Sequence, residues 1–392
     1  MLARSVIGLS GDEIRKTAGL GEREIDVLFG GAPCQGFSLI GKRALDDPRN
    51  SLVREFVRLV DELRPSYFLF ENVKGLTVGQ HRGFLDELIN AFGDVGYDVL
   101  LPWQVLNACH FGVPQDRERL ILLGAKVGMR LPSYPQPSTL AAGSEQTGLL
   151  PLGPTCSDAL DDLPDAEEFE TLKDLDEVRV TRWGKASDYA AYLRCVNRQS
   201  WYFGYRRSWD RMLLTASNRT EHTEISRRRF AETAPGEVEP ISRFYRLPRK
   251  GISNTLRAGT DSARGAFTSP RPIHYKYARC VTVREMARLH GFPDWFRFHV
   301  TKWHGARQVG NSVPPPLARA IAHQITDALD LRPTAPSEGP LPLGDTGLLQ
   351  LGMTEAAEYF DVAVPIGRRD HKSGAKKRKQ AEIEAIRLSN EA

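Results

Sequence analysis

Hydrophobic positions in the first third of the chain follow two periods. Ile25 to Phe29 is a short apolar run that stops at Gly30-Gly31, and Ser66 to Phe70 is a second run, rich in aromatics. Between them Leu52, Val53, Phe56, Val57, Val60 and Leu63 recur at the spacing of one helix face. Strand, helix and strand in that order make a crossover unit, so the two strands are expected to be parallel neighbours. Further on, Arg82 to Phe92 reads as a helix, Asp98 to Leu106 as a strand, and Leu120 to Leu123 before Gly124 as another buried strand. Thr282 and Glu285 have capping-box spacing for a helix that ends at Gly291, before Pro293. Pro314 and Pro315 suit the first turn of a helix continued by Leu317, Ile321, Ile325 and Leu329. The pattern is that of an α/β protein.

The chemistry sits where the predicted strands end. In open α/β sheets ligands bind beyond the carboxyl ends of the strands. Gly30-Gly31-Ala32-Pro33-Cys34-Gln35-Gly36-Phe37-Ser38 therefore presents Cys34 to a pocket, as a nucleophile whose thiolate loop amides or a following helix N-terminus can favour. Glu71, at the end of the next strand, faces the same crevice and is a candidate acid. Arg117 and Arg119, in Gln115-Asp116-Arg117-Glu118-Arg119, share one face of an extended segment and could clamp an anionic or carbonyl-bearing substrate. Taken singly, each has a plainer reading: a small buried thiol, a solvated carboxylate, a solvated strand edge.

Together these segments resemble the cytosine 5-methyltransferases of DNA. The resemblance rests on Gly30 to Ser38, Glu71-Asn72-Val73, Gln115 to Arg119, Arg279 to Pro293 and Gln308 to Val313, in family order across most of residues 25 to 330. It implies a Rossmann-like S-adenosylmethionine-dependent methyltransferase sheet with a smaller target-recognition domain. It also implies that Cys34 adds to C6 of cytosine while Glu71 hydrogen-bonds or protonates N3, so that C5 becomes nucleophilic. Arg119 resembles the family residue that steadies the ring, with Arg117 a second candidate. The implied donor is S-adenosylmethionine, with Pro33, Leu52, Asn311 and Ser312 as its lining positions; Asn311 and Ser312 read equally well as helix caps. The target base must leave the duplex to reach such a site, so double-stranded DNA is the expected partner.

One part of the family pattern is absent. The family opens with a strand and a Phe-x-Gly-x-Gly loop for the cofactor, then an acidic residue after a second strand, and neither precedes Cys34. Gly8, Gly11, Gly19 and Gly21 follow no apolar strand, and Asp12 and Glu13 lie in an Arg/Lys-rich, helix-like stretch. The expectation is an N-terminally incomplete sheet, completed either by upstream sequence of a longer gene or by an upstream partner polypeptide.

On this reading residues 1–125 and 305–331 form the catalytic domain and 126–304 the recognition domain, entered through Pro132, Pro135 and Pro137. Residues 332–392 are expected to be a mobile basic tail ending in Lys376-Lys377-Arg378-Lys379, either solvated or holding DNA non-specifically. A net charge of +4 is only mildly basic, which makes the distribution of charge more informative than its sum. Arg194 to Arg229 is dense in arginine, with Trp201, Tyr202, Phe203, Tyr205 and Trp209 interleaved; Arg206, Arg207 and Arg211 are the candidate DNA contacts, against a solvated surface with buried aromatics. The cysteines at 34, 109, 156, 195 and 280 show neither a Cys-x-x-Cys pair nor zinc-ligand spacing, so no metal is expected. Scattered cysteines without an apolar leader or a membrane-length run suggest a cytoplasmic protein. Two other readings stay open: a tRNA cytosine methyltransferase, disfavoured by the long insertion between Arg119 and Thr282, and an inactive DNA-binding remnant.

Overall fold

The structure is a computed structural model that describes residues 5–33, 50–79, 81–146, 148–197, 200, 204–259, 269–332, 334 and 339–362. Its first half runs α1 (Gly11–Thr17), β1 (Val27–Gly30), α2 (Ser51–Leu63), β2 (Tyr67–Val73), α3 (His81–Asp94), β3 (Tyr97–Val99), β4 (Gln104–Asn107) and β5 (Glu118–Lys126). β1 and β2 pair in parallel, from Val27 with Tyr67 to Gly30 with Phe70, as a crossover through α2 requires. β5 runs antiparallel to β2, from Tyr67 with Ala125 to Val73 with Arg119, and β3 and β4 pair antiparallel along its other edge.

Alternation along the central strands explains why their sequence is apolar throughout: both faces are covered. Phe68, Phe70, Leu120 and Leu122 pack under Val53, Phe56 and Val60 of α2 and Phe84, Leu88 and Phe92 of α3. Tyr67, Ile121 and Leu123 point the other way, against Leu317, Ile321 and Ile325. These last three lie on α9, introduced below, which returns from the far end of the chain to close the domain.

The second half adds α4 (Cys156–Leu160), β6 (Val178–Arg179), α5 (Asp188–Leu193), β7 (Arg207–Ser208), β8 (Leu213–Leu214), α6 (Glu224–Glu232), α7 (Val283–Leu289), α8 (Lys302–Asn311), α9 (Pro315–Ala328), β9 (Leu341–Pro342) and α10 (Met353–Tyr359). Its core gathers Cys156, Leu160, Leu214, Leu247, Leu256, Met286, Leu289 and Val309. α7 is capped by Thr282 and Glu285 as its spacing predicts, and every residue of it is buried. Its arginines are therefore paired. Arg288 lies between Asp162 and Asp294, at 3.0 Å from Asp162 Oδ1. Arg279 donates to both oxygens of Glu285 at 2.9 Å. Desolvation alone would raise Glu285, and Arg279 overrides it, holding the carboxyl down at about 2.

Three expectations need correction. The strand expected over Asp98 to Leu106 is two strands, because Leu101-Pro102 interrupts the pairing and proline has no amide proton for the ladder. The domain boundary expected at 305 falls inside α8, whose Ala306 and Val309 belong to the second core; the chain re-enters the first core at Val313 and Leu317. Residues 341–359 of the expected mobile tail are ordered: Leu341 pairs with Arg207, and Leu349 O and Leu351 O accept from Val300 N and His299 Nε2. The reading of Ser312 as a helix cap holds: it caps the end of α8, and Pro314 stands at the start of α9.

Gly124 lies beneath its register partner Phe68, where a Cβ would sit 2.1 Å from the ring. Phe68 in turn stacks on Phe92 with centroids 4.1 Å apart, so the ring has no room to retreat. Gly124→Ala is expected to lower unfolding free energy by about 1–3 kcal/mol in urea titration, and Gly124→Ala with Phe68→Leu to recover part of it. A single variant as stable as the parent would contradict this packing.

Candidate active site

Three chain segments converge because of strand direction. β1 and β2 are parallel, so the chain leaving Gly30 continues through Gly31-Ala32-Pro33 beside Glu71-Asn72. β5 is antiparallel, so its beginning, not its end, lies against the end of β2. Glu71, expected just beyond its strand, is instead within it, paired with Ile121. A cavity of about 160 Å³ opens here, lined by Gly31, Ala32, Pro33, Glu71, Asn72, Val73, Arg117, Arg119, Gly310 and Asn311.

Glu71 and Arg119 form an ion pair across the cavity wall, Nε to Oε1 2.8 Å, with side chains 17% and 12% exposed. Burial raises the Glu71 carboxyl above its ordinary value, and the nearby cations Arg119 and Arg117 only partly offset this. The acid thus takes up a proton more readily than a surface glutamate. Gly31 makes its position possible, since a Cβ there would stand 2.7 Å from Glu71 Oε2. Asn72 Nδ2 donates to Ala32 O at 2.9 Å and ties the loop after β1 to β2.

Arg117 occupies the cavity wall in a different way. Its Nη1 donates to Leu256 O at 3.0 Å, and its Nη2 to Gly310 O at 2.8 Å and Ser312 O at 2.9 Å. Burial, then the neighbouring Arg119, push it down to about 9, which leaves it a cation at neutral pH. Both terminal nitrogens therefore brace backbone, and only its Nε is buried without a partner.

Behind this brace lies a connected polar group that local sequence patterns do not reveal. Gln115 Nε2 donates to His290 Nδ1 at 2.9 Å, and Gln115 Oε1 accepts from Leu256 N at 3.2 Å. With Nδ1 accepting, the His290 proton belongs on Nε2, which faces Ser312 O at 3.1 Å and Ser312 Oγ at 3.0 Å. Burial, reinforced by Arg117, keeps this imidazole neutral. Ser312 Oγ donates its own proton to Val309 O at 2.7 Å. Gly310 completes the junction: a Cβ there would lie 2.4 Å from Ala258 N. In the sequence it stands within the Gln308 to Val313 motif, in the last turn of a helix.

The predicted residues divide accordingly. The structure brings Glu71, Arg119, Arg117, Pro33 and Asn311 to one cavity. Leu52, in the first turn of α2, and Ser312, with its hydroxyl proton engaged, are not among the lining residues. Cys34 lies outside the described residues, directly after Pro33. The four described cysteines are all buried. Burial pushes Cys109 and Cys280 up to about 11 and Cys195 up to about 12, with Cys156 shifted the same way. Arg206 and Arg211 are exposed and distant in sequence from the cavity residues. Arg207 stacks on Trp295 at 5.0 Å while its strand pairs with β9, so its side chain is half-buried in the fold.

The electrostatics give a signed prediction. Arg119 lowers the Glu71 pKa by charge and hydrogen bond, so Arg119→Met removes that offset and leaves only Arg117 to oppose desolvation. The carboxyl is expected to titrate at higher pH in the variant than in the parent, followed by NMR of the Glu71 side-chain carbon; an unchanged or lower value would refute the pairing.

Comparison with known proteins agrees with this geometry. The family model for C-5 cytosine-specific DNA methylases matches residues 6–327. The type II methyltransferase M.XorII of Xanthomonas oryzae pv. oryzae is 58% identical over 362 residues, covering 92% of this chain and 82% of that protein. M.DdeI of Desulfomicrobium norvegicum is 31% identical over 77% of this chain and 73% of its own length. Among solved structures, an E. coli prophage-encoded protein described as a DNA modification methyltransferase superposes with a TM-score of 0.63 at 30% identity, covering 84% of this chain and 86% of its own. The chain belongs to the C-5 cytosine-specific DNA methylases.

Proposed function

We propose that the cavity between β1, β2 and β5 holds a cytosine extruded from duplex DNA, with Glu71, Arg119 and Cys34 acting on its ring. The single observation that carries this reading is the buried Glu71–Arg119 pair at the mouth of the Pro33 loop. The Cys34 thiolate adds to C6, and the displaced π electrons make C5 nucleophilic as Glu71 gives a proton to N3. A carboxyl raised by burial suits that donation. Arg119 steadies both the carboxylate and the ring. Arg117 acts as a positioning residue, since its terminal nitrogens hold Leu256, Gly310 and Ser312. After methylation, loss of the C5 proton and expulsion of the thiolate restore the aromatic base. The four described cysteines, buried and held as thiols, support Cys34 as the nucleophile.

The family uses S-adenosylmethionine, which supplies a methyl group on a cationic sulfur. The residues fit such a group. Pro33 and Asn311 border the cavity, and Gly31 lets the loop after β1 lie against Glu71. Pro33 and Asn311 would hold the cofactor, whereas Leu52 and Ser312 do not line the cavity. Among the described residues β1 pairs with β2 alone, and Phe29 on it is 76% exposed. An unpaired, apolar edge beside the cavity is a template for another strand, so further polypeptide, upstream sequence or a partner chain, is proposed to add there. Relatives named type II methyltransferases support a restriction-modification role. No described helix is long and apolar enough to cross a membrane, and with bacterial relatives this supports a cytoplasmic site of action.

Trapping tests the reading. In 5-fluorocytosine DNA the C5 substituent cannot leave as a proton, so an enzyme-DNA adduct should accumulate with S-adenosylmethionine and be absent in Cys34→Ala. An undiminished adduct in that variant would overturn the role of Cys34, and an adduct with RNA alone would favour the tRNA reading. Glu71→Gln is expected to lower kcat by about 10²–10⁴-fold, with duplex affinity kept; a kcat near the parent's would remove Glu71 from the chemistry. If the β1 edge takes a further strand, calorimetry should show tighter S-adenosylmethionine binding when the adjoining upstream sequence is supplied, and equal affinity would argue against it.

A further inference from the structure

His290 is a buried titratable group that the proposed chemistry does not use. It is the C-cap of α7, the helix that Arg288 fixes in the second core through Asp162 and Asp294. Gly291 follows it at φ +86°, and a Cβ there would stand 2.7 Å from Pro316 Cδ, so the end of α7 is pressed onto the first turn of α9. The imidazole is thereby delivered from a third element to the junction between the start of β5 and the end of α8. It is fully buried, stacked beside Phe292 with centroids 5.7 Å apart.

A ring that only filled space would need no directed partners, and here each nitrogen has one. Gln115 cannot turn its amide to suit a different neighbour, because its oxygen accepts from Leu256 N at 3.2 Å and its nitrogen also donates to Leu289 O at 3.3 Å. The donor at His290 Nδ1 is therefore fixed, and with it the proton that Nε2 presents to Ser312. Ser312 O receives a second proton from Arg117 Nη2, which also serves Gly310 O. His290 reaches the Ser312 hydroxyl as well, which passes its own proton to Val309 O, one turn back along α8. Asn311 stands between the two braced carbonyls. Its backbone is held on both sides, while the residue itself is exposed and lines the catalytic cavity. Such bracing aims a side chain without consuming its polar groups.

We propose that His290 is a positioning residue for methyl transfer: acting through Ser312, it sets how Asn311 meets the methyl donor in the catalytic cavity. This rests on the reading of that cavity as the site of S-adenosylmethionine. It gives α7, which contributes no residue to the described lining of the cavity, a part in donor binding.

Calorimetry with S-adenosylmethionine tests it apart from turnover, on the parent chain and on a form carrying adjoining upstream sequence. His290→Leu stays apolar and bulky but offers neither donor nor acceptor, and is expected to raise Kd about tenfold. His290→Gln is expected to return Kd to within about twofold of the parent, since an amide accepts at oxygen and donates at nitrogen as this imidazole does at its two nitrogens. Ser312→Ala removes the hydroxyl alone and should raise Kd by a smaller factor; it carries the test if the leucine variant does not fold. In steady state the loss should fall on KM for the donor more than on kcat. Gly124→Ala, destabilised in the core of the sheet, is the control and should bind the donor as the parent does. Parent-like affinity in His290→Leu or Ser312→Ala, failure of glutamine to restore binding, or an equal loss in Gly124→Ala would each overturn the proposal and leave the cofactor reading standing. A parent that binds no donor in either form would instead sink the cofactor reading, and the proposal with it.

Discussion

The antiparallel pairing of β5 with β2 is the constraint from which the site follows. Because the two strands run in opposite directions, the start of β5 meets the end of β2, and Arg119 comes within 2.8 Å of Glu71. A parallel β5 would have sent its charged beginning to the opposite end of the sheet. The same two strands are buried on both faces, so the pair stands on a rigid support, and desolvation there keeps the carboxyl ready to hold a proton.

A second consequence is mechanical. The residues just before β5, Gln115 and Arg117, face away from the sheet and hold three separate segments by their backbone: Leu256, Leu289 with His290, and Gly310 to Ser312. Direct hydrogen bonds in a dry setting, those of Arg117 from a cation, make this junction specific, since losing any partner leaves a buried polar group unsatisfied. The catalytic wall and the segment around Leu256 are thereby one piece of structure.

Buried arginine is a recurring device in this chain, with opposite uses in its two halves. In the second core Arg279 and Arg288 are matched by carboxylates, which repay part of their desolvation and fix how α7 sits. At the catalytic cavity Arg117 is matched by carbonyls alone and keeps its charge near the site.

Periodicity along the chain was enough to locate β1, α2, β2, α3 and α9, because each buries a face whose spacing is a local property. The Thr282 cap was legible for the same reason, whereas Glu71, Arg117 and Arg119 were singled out by their places at strand ends and Asn311 by a motif resemblance. Strand direction was not, since a run such as Leu120 to Leu123 reads alike for parallel and antiparallel pairing. Nor could spacing show that Gln115 meets His290, 175 positions away, or that Ser312 would spend its hydroxyl on Val309. The ordered stretch after Leu341 was missed because its partners, Arg207, His299 and Val300, are supplied by other parts of the chain. Residue types and local pattern set which groups are present; packing of distant segments set which of them touch, and so which remain open to substrate.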